Sequence, residues 1–113
     1  MGAAPERELL LERLVDDPAP MRVQLMRITM PPGMLSGAHV HNGPVFGVIE
    51  AGSALLRIPG EEPRKLAAGA VFHEPSGSVV DGFDALEDGV RFTVTLLTPI
   101  DVAPAITEVP TGS

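Results

Sequence analysis

From residue 21 onward the chain alternates short apolar runs with turns rich in glycine and proline, and this pattern predicts β-strands. The run MRVQLMRITM starts at Met21 and stops at Pro31-Pro32-Gly33. Further runs rich in strand-forming residues start at Val45, Ser53, Arg64, Ala70, Ser78 and Arg91. Turn signals that recur at roughly 8–12 residues are typical of a β-sandwich or barrel. We therefore expect an all-β antiparallel fold of about six to eight strands.

The segment before these runs has a different pattern, which predicts a short helix from Pro5 to Val15. Pro5 suits the first position of a helix, and Leu10 and Leu14 share one helical face. We therefore divide the chain into three parts: an N-terminal helix and arm at 1–20, the barrel at 21–100, and a C-terminal tail at 101–113.

Composition narrows the class of protein. The chain has 113 residues, enough for one domain, and 44% of them are hydrophobic while only 4% are aromatic. A formal net charge of −7 argues against nucleic acid and anionic membranes as partners. Cysteine is absent, so thiolate catalysis and Cys-ligated zinc are excluded. The first residues mix charges with leucines, which is not typical of a signal peptide, and we expect a cytoplasmic protein.

Two histidines carry the clearest chemistry. His39 and His41 are two positions apart, and alternate residues of a strand face the same side, so both imidazoles point the same way. This arrangement suits two ligands of one divalent transition metal such as Zn, Fe, Mn or Ni. An H-x-H pair alone is a weak signal, because nearby histidines are more often ordinary polar residues.

The surrounding spacing resembles the two motifs of the cupin family. Gly33, His39, His41, Val45 and Gly52 follow the register of G-x5-H-x-H-x3-E-x6-G. The second motif, G-x5-P-x-G-x2-H-x3-N, is followed by Gly69, Pro75, Gly77, Val80 and Asp84. The resemblance covers RITMPPG to TVTLLTP and implies a cupin barrel, a double-stranded β-helix or jelly roll of the RmlC-like superfamily. Such cupins include dioxygenases, isomerases, lyases, epimerases, aromatic polyketide cyclases and sugar-binding modules.

Only two of the four metal ligands that the resemblance implies are present in this sequence. His39 and His41 match, but Val45 stands at the Glu position and Val80 at that of the third His. Two imidazoles alone would hold a metal weakly, so we expect it to be weakly bound or absent. A third ligand could come from His73 or from Glu74, which face opposite sides of a strand. Asp81 or Asp84 could also bend in from the following loop, and the ordinary interpretation of His73 and Glu74 is a surface or dimer-contact pair.

Two metal-free interpretations stay open. Burial in an apolar cavity would lower a histidine pKa and keep the ring neutral, so that His39 or His41 could act as a catalytic base, with the other histidine or Glu74 as acid. Such a pair suits isomerisation, cyclisation or elimination next to a carbonyl of an apolar or polyketide-like small molecule. Alternatively, the protein is a non-catalytic binding module. A separate alternative does need a metal, namely a metal-dependent dioxygenase with a non-standard third ligand.

The site should lie inside the barrel, bounded by His39, His41, Val45 and Val80. We expect the cavity to be lined by Val45, Val80, Phe46, Met26, Ile28, Met30 and Phe83. A barrel this small often buries an edge or a face in a second copy, so we also expect a homodimer.

Overall fold

The structure is a computed structural model that describes residues 4–16 and 18–110, and all regular structure in these ranges is β. Nine strands follow one another along the chain: β1 (Glu6–Val15), β2 (Met21–Met30), β3 (His39–His41), β4 (Val45–Arg57), β5 (Arg64–Ala67), β6 (Val71–Glu74), β7 (Val79–Val80), β8 (Gly82–Pro99) and β9 (Ile106–Glu108). No helix long and apolar enough to cross a membrane occurs in the described ranges.

The strands form two antiparallel sheets. In the larger sheet the order is β1-β2-β8-β4-β5, and β6 also pairs with β4. In the smaller sheet β3 lies between β7 and β9. The long strand β4 changes register with β8 between Ile49 and Ala51 and again between Gly52 and Ala54, so the pairing is irregular there. The prediction of an antiparallel all-β fold is confirmed.

The helix predicted from Pro5 to Val15 is wrong, because this segment forms β1 and pairs with β2 along its whole length. The register shifts between Leu9 and Leu11, where a bulge inserts one extra residue. An extra residue breaks the two-residue period of a strand, and the resulting spacing of leucines imitates a helical face. Pairing with β2 satisfies the backbone groups on one side of the segment and overrides its local helical signals.

The core is formed mainly by the larger sheet and is filled by aliphatic residues around three phenylalanines. Phe83 packs against Phe72 and Phe92 with ring centroids 5.0 and 4.7 Å apart. Ile49 and Val80 are almost completely buried in the same cluster. The short strands β3 and β6 border this core, and they carry the residues of the site.

Candidate metal centre

The two histidines of β3 point into the barrel from the same side of their strand. The side chain of His39 is 8% exposed and that of His41 is 12% exposed. Their ring centroids lie 5.0 Å apart with the planes nearly perpendicular. Strand alternation thus places the imidazoles side by side, as the H-x-H spacing predicts.

Glu74 supplies a carboxylate to the two imidazoles. It is the last residue of β6, is 3% exposed, and lies directly opposite Val45 in the pairing of β4 with β6. Its Oε1 accepts a hydrogen bond from Nε2 of His41 at 2.7 Å and lies 3.3 Å from Nε2 of His39. Ligand atoms of the three residues all lie within 4.8 Å of one another. The barrel therefore contains a His-His-Glu group.

His73 lies on the other face of β6, as neighbours on a strand must. Its ring stacks on that of Phe46 with centroids 4.7 Å apart and planes within 7°. Of the two alternatives for a third ligand, the structure thus turns Glu74 inward and His73 outward. The interpretation of Glu74 as a surface residue is wrong, and the alternation of Phe72 with Glu74 could have revealed it, since a core phenylalanine shares its face.

The protonation of His39 is fixed by a backbone carbonyl. Its Nδ1 lies 3.0 Å from the carbonyl oxygen of Gly37, which can only accept, so Nδ1 carries a proton. A neutral His39 then turns the lone pair of Nε2 toward the carboxylate of Glu74, and two acceptors face each other. A proton held by one of the two groups or a cation between them resolves this contact. Metal-ligating histidines typically donate their other ring N–H to such a carbonyl.

The hydrogen bonds within the group outweigh the effect of burial on the pKa values of Glu74 and His39. Burial alone would raise the pKa of Glu74, but the hydrogen bonds from His39 and His41 outweigh it and lower this pKa to about 2. Burial alone would likewise lower the pKa of His39, but its hydrogen bonds with Glu74 and Gly37 outweigh it, and the pKa is raised. The expectation that burial lowers the pKa of His39 is therefore wrong, because it left out the buried carboxylate.

A cavity of about 1030 Å³ opens next to the His-His-Glu group. Its wall includes most of the residues expected there, namely Met26, Ile28, Met30, Val45 and Phe83. Val80 is opposite His39 in the pairing of β3 with β7 and is buried in the core. Phe46 points out of the barrel instead and is 45% exposed, because Val45 before it faces inward.

The loop before β3 is anchored by Asp84, which stands at the Asn position of the second motif. Asp84 accepts hydrogen bonds from Arg57 Nη2 at 2.7 Å and from the backbone N–H of Ser36 at 3.1 Å. Ser36 precedes Gly37, whose carbonyl holds His39. Asp84 is thus a support of the loop, not a member of the His-His-Glu group, and the sequence alone did not indicate this role.

The donor set fits a divalent transition metal. Imidazole nitrogen suits Zn, Fe, Ni and Cu, and two histidines with one carboxylate form the ligand set of many iron and zinc proteins. The architecture and the His-His-Glu group together define the class: an antiparallel barrel with the fold of the RmlC-like cupins.

Comparisons with solved structures find the same fold in other proteins. The DMSP lyase DddQ from Ruegeria pomeroyi DSS-3 has a TM-score of 0.70 at 21% identity over 89% of this chain, which spans only 50% of DddQ. An RmlC-like cupin protein from Desulfovibrio desulfuricans has a TM-score of 0.65 at 23% identity over 85% of this chain and 84% of its own. KdgF from Halomonas sp. has a TM-score of 0.67 at 19% identity over 86% and 82%. No protein-family model and no curated protein matches the sequence.

Proposed function

We propose that the protein is a metal-dependent cupin enzyme that acts on an apolar small molecule bound in the barrel. The observation that supports this proposal is the convergence of His39, His41 and Glu74, whose ligand atoms lie within 4.8 Å of one another beside the cavity. These residues would hold one divalent transition metal (Zn, Fe, Mn or Ni). The buried carboxylate makes binding stronger than two imidazoles alone would allow.

The chemistry that we propose is activation of a substrate carbonyl, as in isomerisation, cyclisation or elimination. A divalent cation held by His39, His41 and Glu74 would supply Lewis acidity toward the carbonyl oxygen of the substrate. Gly37 holds the ring of His39 in one orientation. Met26, Ile28 and Met30 exclude water and pack against the apolar body of the substrate, such as a polyketide-like chain. Among proteins of similar fold, DddQ is a lyase, which is compatible with this class of reaction.

Metal analysis of protein purified without a His tag tests the proposal. The wild type, offered Zn, Fe, Mn and Ni in turn, should retain about one ion per chain. The variants His41→Ala and Glu74→Gln should lose it. His73→Ala is the matched control, because His73 is adjacent to Glu74 but faces the outside, and it should retain the metal. Circular dichroism should show that all variants keep their strand content.

The result that would overturn the proposal is equally clear. A wild type that retains none of the four metals, or a Glu74→Gln variant that retains as much as the control, would rule out the His-His-Glu group as a metal centre. Calorimetric titration of the metal-stripped protein provides the affinity without any need for a substrate.

A second candidate is a metal-free acid–base enzyme, which the hydrogen bonds of His39 and His41 to Glu74 also suit. It predicts turnover that survives chelators and falls when either histidine is replaced. Two other candidate functions each predict a distinct experimental result. A dioxygenase would consume O₂ once loaded with Fe(II), since two histidines and a carboxylate are the ligands of non-haem iron. A binding module would retain a ligand in the cavity without turnover.

A further inference from the structure

Arg7 lies at the rim of the cavity in the barrel, on the strand β1. It stands directly opposite Ile28 in the pairing of β1 with β2, so the two side chains point to the same face of the larger sheet. Ile28 is buried in the core and lines the cavity. Arg7 also lines the cavity, but it is exposed. This cation is therefore placed where the cavity meets solvent.

The guanidinium of Arg7 has no protein partner in the part of the chain that the structure describes. Every other arginine there donates a hydrogen bond to an oxygen atom of the protein, namely Arg13, Arg22, Arg27, Arg57, Arg64 and Arg91. Arg7 forms neither a hydrogen bond nor an ion pair within these ranges, although the chain contains 15 Asp and Glu residues. Its planar fork of N–H donors is thus available to a ligand.

The same cavity is otherwise poor in cations and donors along its walls. Strands β2 and β8 contribute mainly apolar side chains to it, which are Met26, Ile28, Met30, Phe92, Val94 and Leu96. Gln24 also lines the cavity, but its amide nitrogen already donates to Glu12. Among the described residues, Arg7 is the only arginine or lysine in the wall. A ligand that fills the cavity therefore meets apolar surface along its body and one cation at the rim.

The shape and the charge of the guanidinium favour a carboxylate over other anionic groups. Two parallel N–H donors match the two oxygen atoms of a carboxylate in a bidentate arrangement. A phosphate group carries nearly two negative charges at neutral pH, which a single guanidinium balances only in part. The single charge of a carboxylate is balanced by Arg7 alone.

We propose that the ligand of the barrel is an apolar small molecule with a terminal carboxylate, and that Arg7 binds this carboxylate at the rim. The apolar body then lies against β2 and β8, and the other end of the molecule is directed toward the His-His-Glu group. Arg7 thereby selects acids over neutral molecules of the same shape. This inference rests on the proposed function, whose substrate class it names, but binding at Arg7 needs no metal and is measured separately.

Matched pairs of acids and neutral amides test the proposal. The probes are hexanoate, octanoate and 4-phenylbutyrate, each compared with its primary amide by calorimetric titration at low salt. Metal-stripped protein is used, because a metal could itself bind the carboxylate. The wild type should bind at least one acid about tenfold more tightly than its amide, since hydrogen bonds to charged groups are the stronger ones. Added salt should weaken the binding of the acid and leave that of the amide unchanged.

Substitutions assign this preference to Arg7. Arg7→Met keeps an apolar stem and should lower the affinity for the acid about tenfold, with no change for the amide. Arg7→Lys keeps the charge without the planar fork and should bind the acid with an intermediate affinity. Arg13→Met is the matched control, because Arg13 is exposed on the same strand but does not line the cavity, and it should bind both probes as the wild type does. Circular dichroism checks that each variant is folded.

The results distinguish this proposal from that of the metal centre. A wild type that binds none of the three acids at millimolar concentration, or binds acids and amides equally, would overturn the role of Arg7. So would an Arg13→Met variant that loses as much affinity for the acid as Arg7→Met does. Each of these outcomes leaves metal retention by the His-His-Glu group untouched. Conversely, a protein that retains no metal but binds the acid through Arg7 would overturn the metal centre and confirm the class of ligand.

Discussion

Replacement of Asp84 should destabilise the fold and weaken metal binding at the same time. Asp84 is 6% exposed and joins the loop before β3 to the side chain of Arg57. In Asp84→Ala the backbone N–H of Ser36 loses a charged acceptor. The loop then loses a contact that fixes the carbonyl of Gly37 against His39.

The magnitude follows from the two contacts of Asp84. A hydrogen bond from a backbone N–H to a charged acceptor contributes about 1.5–3 kcal/mol. The ion pair with Arg57 contributes about 0–1 kcal/mol, since the arginine side chain is 41% exposed and stays hydrated after the loss. The free energy of unfolding should therefore fall by about 2–4 kcal/mol, which lowers the melting temperature of a domain of this size by roughly 8–15 °C. Metal affinity should fall about tenfold, the lower end of the effect of outer-sphere partners.

Two further variants separate support of the loop from general damage. Asp81→Ala removes a nearby exposed carboxylate and should leave both quantities unchanged. Asp84→Asn keeps an oxygen that can accept from Ser36, so metal affinity should recover although the ion pair is lost. Thermal denaturation and calorimetric metal titration measure the two effects. If Asp84→Ala lowers stability by less than about 1 kcal/mol, or if Asp84→Asn binds metal as weakly as Asp84→Ala, the reasoning is refuted.

Three other changes have defined outcomes. Gly37→Ala places a β-carbon on a residue with φ of 74°, so it should lower the free energy of unfolding by about 1–2 kcal/mol and also lower metal affinity. Gly60→Ala, at φ of 80° in a distant turn, should lower the free energy of unfolding by the same amount but leave metal affinity unchanged. Thermal denaturation and calorimetric titration compare the two variants. Phe92→Ala removes a ring from the core cluster and should cost about 3–5 kcal/mol in urea unfolding. The hydrogen bond from Thr93, with Arg27 and Arg91, lowers the pKa of Glu50 to about 2. This carboxylate stabilises the fold above its ordinary pKa of 4.5, and the stabilisation is lost as the pH falls toward 2, so Glu50→Gln should flatten the acid limb of melting temperature against pH.

Each of these expectations has a contradicting result. Equal metal affinities for Gly37→Ala and Gly60→Ala would mean that the carbonyl does not position His39. A loss below about 1 kcal/mol for Phe92→Ala would mean that the core refills the space of the ring. An acid limb as steep in Glu50→Gln as in the wild type would assign the acid sensitivity to other carboxylates.

The barrel could be predicted from sequence because its turns demand particular residues. Gly33, Gly52, Gly69 and Gly77, the glycines of the two motifs, all have positive φ between 74° and 88°. Only glycine adopts this conformation without strain, so the positions of the glycines in the sequence predict the positions of the turns. The H-x-H pair was predictable for a similar reason, since the period of a strand fixes which side chains share a face.

The errors arose where local sequence does not contain the deciding contact. The segment from Pro5 to Val15 has helical signals, but whether it pairs with β2 depends on a strand that follows it in the chain. The roles of His73 and Glu74 depended on which face of the four-residue strand β6 points into the barrel. The pairing of β6 with β4 determines this orientation. The pKa of His39 depended in turn on the position of Glu74.

The loss of two motif ligands therefore did not remove the site, because a site is defined by atoms in space and a motif by positions in sequence. Val45 stands where the first motif has a carboxylate, and Glu74 lies directly opposite it in the pairing of β4 with β6. The β-carbons of such opposite residues are about 4.5–5.5 Å apart and point to the same face, a distance that a glutamate side chain can span. The carboxylate is thus supplied by the neighbouring strand, and its oxygen still lies 2.7 Å from His41. For barrels of this fold, a missing ligand should be sought at the positions opposite it in the sheet before the site is judged lost.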